Sequence, residues 1–167
     1  MWQNFDDNVH YRPIINQRIL DQYIQSWNAA VRITSKLDYY EKIKTTFEYE
    51  PYLDILANSA SRRALTQLRV CSHNLEIEFG RFNNISRENR LCKLCNMKSV
   101  ESEFHFLLCC PKYKHLRSKY LKKRYTTWPS IQKFVSIMSS KNRNAILNLG
   151  KIVNEAFKLR LQSLEIT

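Results

Sequence analysis

The chain has 167 residues, of which 27 are Lys or Arg and 15 are Asp or Glu, so its formal charge at pH 7 is +12. Its hydrophobic fraction of 44% is enough apolar mass for a core, which excludes disorder of the whole chain. The two glycines and four prolines are too few for the turns of an all-β sandwich or barrel. These numbers predict one mainly α domain of ordinary size.

The first predicted elements are two helices and a short helix start. Apolar residues recur every four positions after Pro13, at Ile15, Ile19, Tyr23 and Trp27. This spacing predicts an amphipathic helix of roughly 18 residues. Thr34 and Ser35 are good N-cap residues and predict a second helix over residues 36–47. Pro51 indicates the start of another helix.

From residue 58 to residue 90 the pattern changes from helical to alternating and then to polar. Asn58 is a good N-cap, and the helix after it has one apolar face, formed by Ala64, Leu65, Leu68 and Cys71. Further on, Leu75, Ile77 and Phe79 alternate with Glu76 and Glu78. The alternation predicts a short strand near residues 75–79. Residues 81–90 are polar and predict a loop that enters a cysteine cluster.

Three helical patterns complete the chain after the cysteines. A charged pattern follows Pro111, and a helix follows Pro129 with its apolar residues at Ile131, Phe134, Val135 and Met138. Ser139 and Ser140 are predicted to cap the last helix, whose apolar stripe is Ile146, Leu149, Val153, Ala156 and Phe157. Gly150 lies inside this helix at a cost of about 1 kcal/mol relative to alanine, so it predicts a close helix contact.

The positive charge is concentrated around the cysteines. Residues 1–80 carry 9 basic and 10 acidic side chains, residues 81–125 carry 12 and 3, and residues 126–167 carry 6 and 2. We therefore predict an N-terminal helical scaffold over 1–80, a zinc-binding module with a basic helix over 81–125, and C-terminal helices over 126–167. The C-terminal helices are expected to pack on the scaffold, so that all three parts form one folding unit.

The most specific motif is Cys92-x2-Cys95-x9-His105-x4-Cys110. Zinc takes about four thiolate or imidazole donors in a tetrahedron, and the C-x-x-C spacing lets two thiolates face one ion. Cys109 lies four residues after His105 and would share its face on a regular helix, so the residues alone leave Cys109 and Cys110 as alternative fourth ligands. Four protein ligands close the coordination sphere, which is typical of a structural site. One structural Zn²⁺ is predicted.

The remaining cysteine and histidines are assigned more simply. Cys71 is predicted to be a small buried apolar residue, and His10 and His115 are predicted to lie at the surface. An odd number of cysteines with a C-x-x-C pair favours metal ligands over disulfides. The N-terminal residues lack the apolar core of a signal peptide, and no apolar stretch approaches a membrane span. The protein is therefore expected to be intracellular, nuclear or cytoplasmic, and not secreted or membrane-bound.

Seven basic residues occur within 13 positions after the cysteines: Lys112, Lys114, Arg117, Lys119, Lys122, Lys123 and Arg124. As one helix they would span roughly 20 Å, with Tyr113, Leu116 and Tyr120 as an inward apolar seam. Arg81, Arg87, Arg90 and Lys93 could extend this basic surface. Such a surface favours largely sequence-tolerant binding of RNA or DNA, and the alternative is an ordinary solvated face.

No catalytic motif is present. The chain has no Gly-rich phosphate loop, no Gly-x-Ser-x-Gly, no His-Glu-x-x-His and no Tyr-x-Asp-Asp. Two acidic pairs, Asp6 with Asp7 and Glu101 with Glu103, are predicted to be solvated rather than to bind magnesium. The sequence therefore predicts a protein that is not an enzyme, and the one enzymatic alternative is a nuclease, which magnesium-dependent cleavage would test.

Three stretches carry a resemblance to a known family: Arg69–Arg81 (RVCSHNLEIEFGR), Arg90–Cys95 (RLCKLC) and Glu103–Pro111 (EFHFLLCCP). They resemble the C-terminal CCHC zinc-binding region of non-LTR (LINE-type) retrotransposon reverse transcriptases of invertebrate type. The resemblance implies that the ligands are Cys92, Cys95, His105 and Cys110, with Cys109 at a position that is usually not cysteine.

The resemblance also implies a function. It points to an ancestral role in handling the RNA or target DNA of the element, with a reverse transcriptase domain encoded elsewhere as a candidate partner and no polymerase activity in this chain. The alternatives are a protein-protein interaction module and an orphaned transposon fragment without retained activity.

Overall fold

A computed structural model describes residues 11–165. The α-helices are α1 (Tyr11–Ile33), α2 (Asp38–Ile43), α3 (Tyr52–Ile55), α4 (Ser59–Arg69), α5 (Glu76–Phe82), α6 (Lys114–Tyr120), α7 (Lys123–Thr126), α8 (Ile131–Met138) and α9 (Arg143–Glu165). A π-helical turn spans His105–Cys109, and the β pairing of the described residues is one antiparallel bridge between Leu91 and Val100. The predicted mainly α fold is confirmed. None of the helices of residues 11–165 is long and apolar enough to cross a membrane.

The core forms where α4 packs along α9. Leu65 of α4 and Leu149 and Val153 of α9 are almost completely buried. A Cβ atom at Gly150 would lie 2.7 Å from Cδ2 of Leu56, the residue that ends α3. The close contact predicted at Gly150 is therefore present, and a side chain at this position would overlap the core.

The first helix forms as predicted, but its apolar stripe does not enter the core. Pro13 lies in the first turn, where a helix needs no backbone N–H. Within α1 only Val31 is buried, whereas Ile15, Ile19 and Tyr23 are 54%, 60% and 58% exposed. The helix therefore presents an apolar face to solvent.

The start of α4 agrees with the prediction from its capping residue, whereas the end of α2 does not agree with the predicted range. Asn58 caps α4 as predicted, because its Oδ1 accepts a hydrogen bond from the Ser61 backbone N–H at 2.9 Å. The helix predicted over residues 36–47 is shorter, because the backbone becomes extended at Lys44, with φ −119° and ψ 94°.

The cap of the last helix differs from the prediction by two to three residues. Ser139 and Ser140 follow the end of α8, and α9 begins at Arg143. Its N-terminal cap is Asn142, whose Oδ1 accepts from the Ala145 backbone N–H at 3.0 Å. Asparagine and serine are about equally good caps, so composition alone does not separate them.

Residues 75–79 belong to the start of α5, so the predicted strand is wrong. The alternating pattern placed Glu76 and Glu78 towards solvent, but these side chains are buried, while Phe79 is 48% exposed. The helix also continues into the segment predicted as a loop and ends at Phe82.

Distant basic and acidic side chains explain why α5 buries its glutamates. Arg160 Nη2 lies 3.2 Å from Glu76 Oε1, and Lys36 Nζ lies 4.0 Å from Glu78 Oε2, which also pairs with Arg81 on α5 itself. Glu101 Oε2 accepts a hydrogen bond from the Glu76 backbone N–H at 2.8 Å. This N–H lies in the first turn of α5 and has no acceptor within the helix. Partners supplied from elsewhere in the chain therefore override the local pattern.

The basic segment is not a single helix, and that prediction is also wrong. The chain is extended at Leu121, with φ −103° and ψ 143°, and the buried Leu121 side chain separates α6 from α7. Tyr113 and Leu116 are buried as the predicted seam requires, and α6 packs against α9. The basic residues are thus distributed over the 3-10 turn Pro111–Tyr113, the two short helices and the residues between them.

Candidate metal centre and nucleic-acid interface

Cys92 and Cys95 lie in a tight hairpin. The bridge between Leu91 and Val100 closes it, and the Cys92 backbone N–H donates to the carbonyl oxygen of Ser99 at 2.9 Å. The pairing fixes the short loop that contains the C-x-x-C sequence, so both sulfur atoms are available to one ion.

The π-helical turn supplies the other two candidate ligands. His105 is its first residue, and the Cys110 backbone N–H donates to the His105 carbonyl oxygen at 2.8 Å. Cys110 itself leaves the helix, with φ −56° and ψ 122°, as expected for a residue that precedes a proline. This departure places Cys110 beside the hairpin.

The four candidate ligand atoms lie within 4.8 Å of one another. Cys92 Sγ and Cys110 Sγ are 3.9 Å apart, and Cys95 Sγ is 3.4 Å from His105 Nε2. Two zinc–sulfur bonds at the tetrahedral angle would separate their sulfurs by about 3.8 Å. The cluster can therefore hold a metal ion, and it includes Cys110 and not Cys109.

The thiols of the cluster differ in their acidity in the metal-free protein. The hydrogen bond with Cys110, together with burial, raises the pKa of Cys92 to about 12. Burial raises the pKa of Cys95, whereas the hydrogen bond from Cys92 lowers the pKa of Cys110. At neutral pH Cys92 and Cys95 therefore carry protons that a bound metal must displace.

A buried ion-pair network joins the metal loop to α9. Arg160 donates from Nε to Glu101 Oε1 at 3.0 Å and from Nη2 to Glu101 Oε2 at 2.7 Å. Glu101 Oε1 is also 3.9 Å from Cys92 Sγ. Glu101 and Glu103 are both buried, so the prediction that they are solvated is wrong. Sequence reasoning missed Arg160, because its partner lies 59 residues away.

A second group of candidate ligand atoms, from Cys71, His73 and Glu103, also lies within 4.8 Å. His73 Nε2 donates to Glu103 Oε1 at 3.0 Å, and burial raises the pKa of the Cys71 thiol well above its ordinary value. A protonated thiol and an existing hydrogen bond are typical of a structural contact.

Cys71 is buried and His115 is exposed, as predicted, while Asp6, Asp7 and His10 lie outside the described residues.

The predicted nucleic-acid-binding residues fall into two groups. Several already have partners in the protein: Arg81 pairs with Glu78, Arg87 with Asp38, Lys93 with Glu76 and Lys119 with Glu155, and Arg90 donates to the carbonyl oxygens of Ile77 and Ile85. Arg124 lies over the ring of Tyr125, and Arg117 is buried. Among these predicted residues, Lys112, Lys114, Lys122 and Lys123 are exposed and have no ion-pair partner within residues 11–165. The accessible unpaired charge of the basic segment thus directly follows the metal cluster.

These features define a small helical protein with a Cys3His ligand cluster and an adjacent basic surface. Comparisons with protein-family models, with curated proteins and with solved structures found no match to this chain. Its function is therefore inferred from the residues of the cluster and of the surface beside it.

Proposed function

We propose that this chain is a zinc-stabilised module that binds RNA or DNA without catalysing a reaction, inside the nucleus or the cytoplasm. The observation that carries the proposal is the position of the unpaired lysines on the segment that begins directly after the ligand Cys110. The resemblance to the C-terminal region of non-LTR reverse transcriptases supports the same function and suggests a separately encoded polymerase domain as a partner.

Zinc would be held by Cys92, Cys95, His105 and Cys110, and it would supply a structural crosslink. Among the described residues no backbone hydrogen bond joins residues 91–100 to residues 105–110, so a shared ion would fix the separation of the hairpin and the π-helical turn. Since all four ligands come from the protein, no position is left for an activated water. The crosslink would also set where the basic segment leaves the cluster.

The matched pair Cys110→Ser and Cys109→Ser tests the ligand assignment. We expect about one zinc per wild-type chain and per Cys109→Ser chain, and a large loss of zinc from Cys110→Ser, measured by elemental analysis after purification without chelator. Loss of zinc from Cys109→Ser alone would identify Cys109 as the fourth ligand. Absence of zinc from the wild-type protein would reject the metal assignment.

Nucleic-acid binding is tested by its salt dependence. If about five phosphates are contacted, log K falls with log salt at a slope near −3.5 for single strands and −4.5 for duplex DNA. A gel-shift series with zinc-loaded protein measures this slope. No binding to either form at low salt would contradict the proposal.

A charge-matched control separates the effect of the basic segment on binding from the effect of net charge. Lys122→Gln with Lys123→Gln should make the slope less steep by about 1.4 to 1.8, because two phosphate contacts are lost. Lys151→Gln with Lys158→Gln removes the same charge from exposed positions of α9 and should leave the slope nearly unchanged. Equal effects of the two double variants would indicate a nonspecific effect of net charge.

A protein-protein interaction module is the second candidate function. The observation in its favour is the exposed apolar face of α1, at Ile15, Ile19 and Tyr23. The salt series distinguishes the two functions, because an apolar protein contact does not require binding to nucleic acid at any salt concentration.

A further inference from the structure

A cavity of about 390 Å³ lies between the end of the π-helical turn and helices α6 and α7. Its lining includes Lys114 and Arg117, and no acidic residue lines it. The hydroxyls of Ser118 and Thr126 also line it, but they donate to the carbonyl oxygens of Lys114 and Lys123, each at 3.1 Å. The side-chain donors left for a ligand are therefore the two cationic groups and the weakly donating thiol of Cys109.

Arg117 is the most unusual group in this cavity. It is only 7% exposed, its Nη1 atom is buried, and that atom has no hydrogen-bond partner among the described residues. No ion pair with a carboxylate of residues 11–165 engages either Arg117 or Lys114. A buried guanidinium without an acceptor is costly, so a polar group from outside the protein would complete the site. An oxyanion fits best, because a guanidinium binds phosphate with two parallel hydrogen bonds.

An exposed tryptophan directly precedes Pro129, one of the residues that line the same cavity. Trp128 is 85% exposed, and two residues close to it in the chain, Thr126 and Pro129, line the cavity. Its backbone is left-handed, with φ 51°, which is uncommon for a bulky residue. Lys133 Nζ donates to the carbonyl oxygens of Thr127 and Trp128, at 2.6 and 3.0 Å, and so fixes this conformation. The indole is thus held in solvent on a residue that is flanked in the chain by two residues lining the cationic cavity.

We propose that this cavity and Trp128 together bind one unpaired nucleotide. Lys114 and Arg117 hold its phosphate, and the base stacks on the indole of Trp128. This inference rests on the proposed nucleic-acid binding and narrows it to single-stranded RNA or DNA. A base within a duplex is already stacked on both sides, so it cannot use the indole without being unstacked.

Tryptophan fluorescence reports on the stacking directly. In the variant Trp2→Phe/Trp27→Phe, Trp128 is the remaining tryptophan. We expect single-stranded RNA or DNA of one sequence to quench its emission, and the strand that reaches half-maximal quenching at the lower concentration identifies the preferred sugar. The matching duplex and inorganic phosphate alone should leave the emission nearly unchanged. Equal quenching by duplex and single strand would overturn the proposal.

Affinity measurements on the otherwise wild-type chain give the second readout. Trp128→Ala should weaken single-strand binding by roughly 5- to 150-fold, which is the affinity that stacking of one base on one aromatic ring provides. Duplex binding should be unchanged. Phe82→Ala removes another exposed aromatic ring and should have no such effect. Unchanged single-strand affinity in Trp128→Ala would contradict the nucleotide pocket and leave the proposed function intact. Absence of nucleic-acid binding by the wild-type protein would contradict both the pocket and the proposed function.

The role of Arg117 needs its own control because it lies close to the metal ligands in sequence. Arg117→Met and Lys114→Met should each weaken single-strand binding with zinc content unchanged, while Lys151→Met on α9 should not weaken it. Loss of zinc from Arg117→Met would instead show that Arg117 serves the metal ligands, and would overturn its place in the nucleotide pocket.

Discussion

Arg160 joins the C-terminal helix to the metal loop through a buried two-point contact with Glu101. Charge-assisted hydrogen bonds of this geometry are strong, and a low local dielectric strengthens them. The guanidinium also offsets the charge of Glu101 beside Cys92, which must become a thiolate when metal binds. One side chain therefore supports both the packing of α9 and the chemistry of the cluster.

Replacing Arg160 by methionine should destabilise the protein strongly. Arg160→Met keeps much of the side-chain volume but leaves the buried Glu101 without its cation, which costs about 3–5 kcal/mol of unfolding free energy. Urea unfolding of the zinc-loaded protein measures the loss. Lys158→Met, at an exposed position of the same helix, is the control and should change stability by less than about 0.5 kcal/mol.

The double variant Arg160→Met/Glu101→Gln isolates the ion pair. Glutamine removes the stranded charge, so the double variant should be more stable than Arg160→Met alone. If Glu101→Gln lowers the unfolding free energy of Arg160→Met by as much as it lowers that of the wild-type protein, the two side chains are not coupled, which contradicts the proposed ion pair.

At the scale of single residues, the sequence indicates candidate metal ligands well and buried acids poorly. Cys92, Cys95 and His105 can be named from the sequence because zinc chemistry selects residue types at short spacings. The burial of Glu101 and Glu103 cannot, because it depends on Arg160 and His73, which are distant in the chain.

At the scale of elements, helices with strong caps and regular apolar faces were predictable, whereas α5 was not. The caps of α4 act within three residues, so they appear in the local sequence. The first backbone N–H of α5 donates to Glu101, 25 residues further along the chain, and Glu76 pairs with Arg160, 84 residues away. The strand prediction treated the charged residues of the alternating pattern as solvent-facing. In the structure these charges are paired and buried, so the expected burial is reversed.

The contact between α9 and the end of α3 gives a prediction at this scale. Gly150→Val should lower the unfolding free energy by about 1–3 kcal/mol, because the new side chain overlaps Leu56 in the core. Thermal or urea unfolding measures the change. Lys151→Val introduces the same side chain at the next, exposed position and should have a much smaller effect; equal effects would mean that helix propensity and not packing limits this site.

Across the whole molecule, the core and the candidate metal centre depend on each other. Buried apolar residues come from the segments before, within and after the cluster, and Cys92 and Cys110 are themselves part of this core. The network through Glu101 and Arg160 extends the connection to α9. A metal bound at the cluster would therefore stabilise the packing of α6 and α9 as well as the hairpin.

The protonation of the thiols predicts that the affinity of the cluster for zinc depends steeply on pH. In the metal-free protein the raised pKa values of Cys92, about 12, and of Cys95 keep both thiols protonated at neutral pH, and each proton must leave when zinc binds. Lowering the pH therefore weakens binding, and raising it strengthens binding. We expect the logarithm of the apparent zinc affinity to rise by about two or more per pH unit between pH 6 and 7.5. Competition with a chromophoric chelator of known pH dependence measures this slope, with the melting temperature followed in parallel. A zinc affinity that does not change with pH would mean that the thiolates exist before metal binds, in conflict with the burial and hydrogen bonding of the cluster.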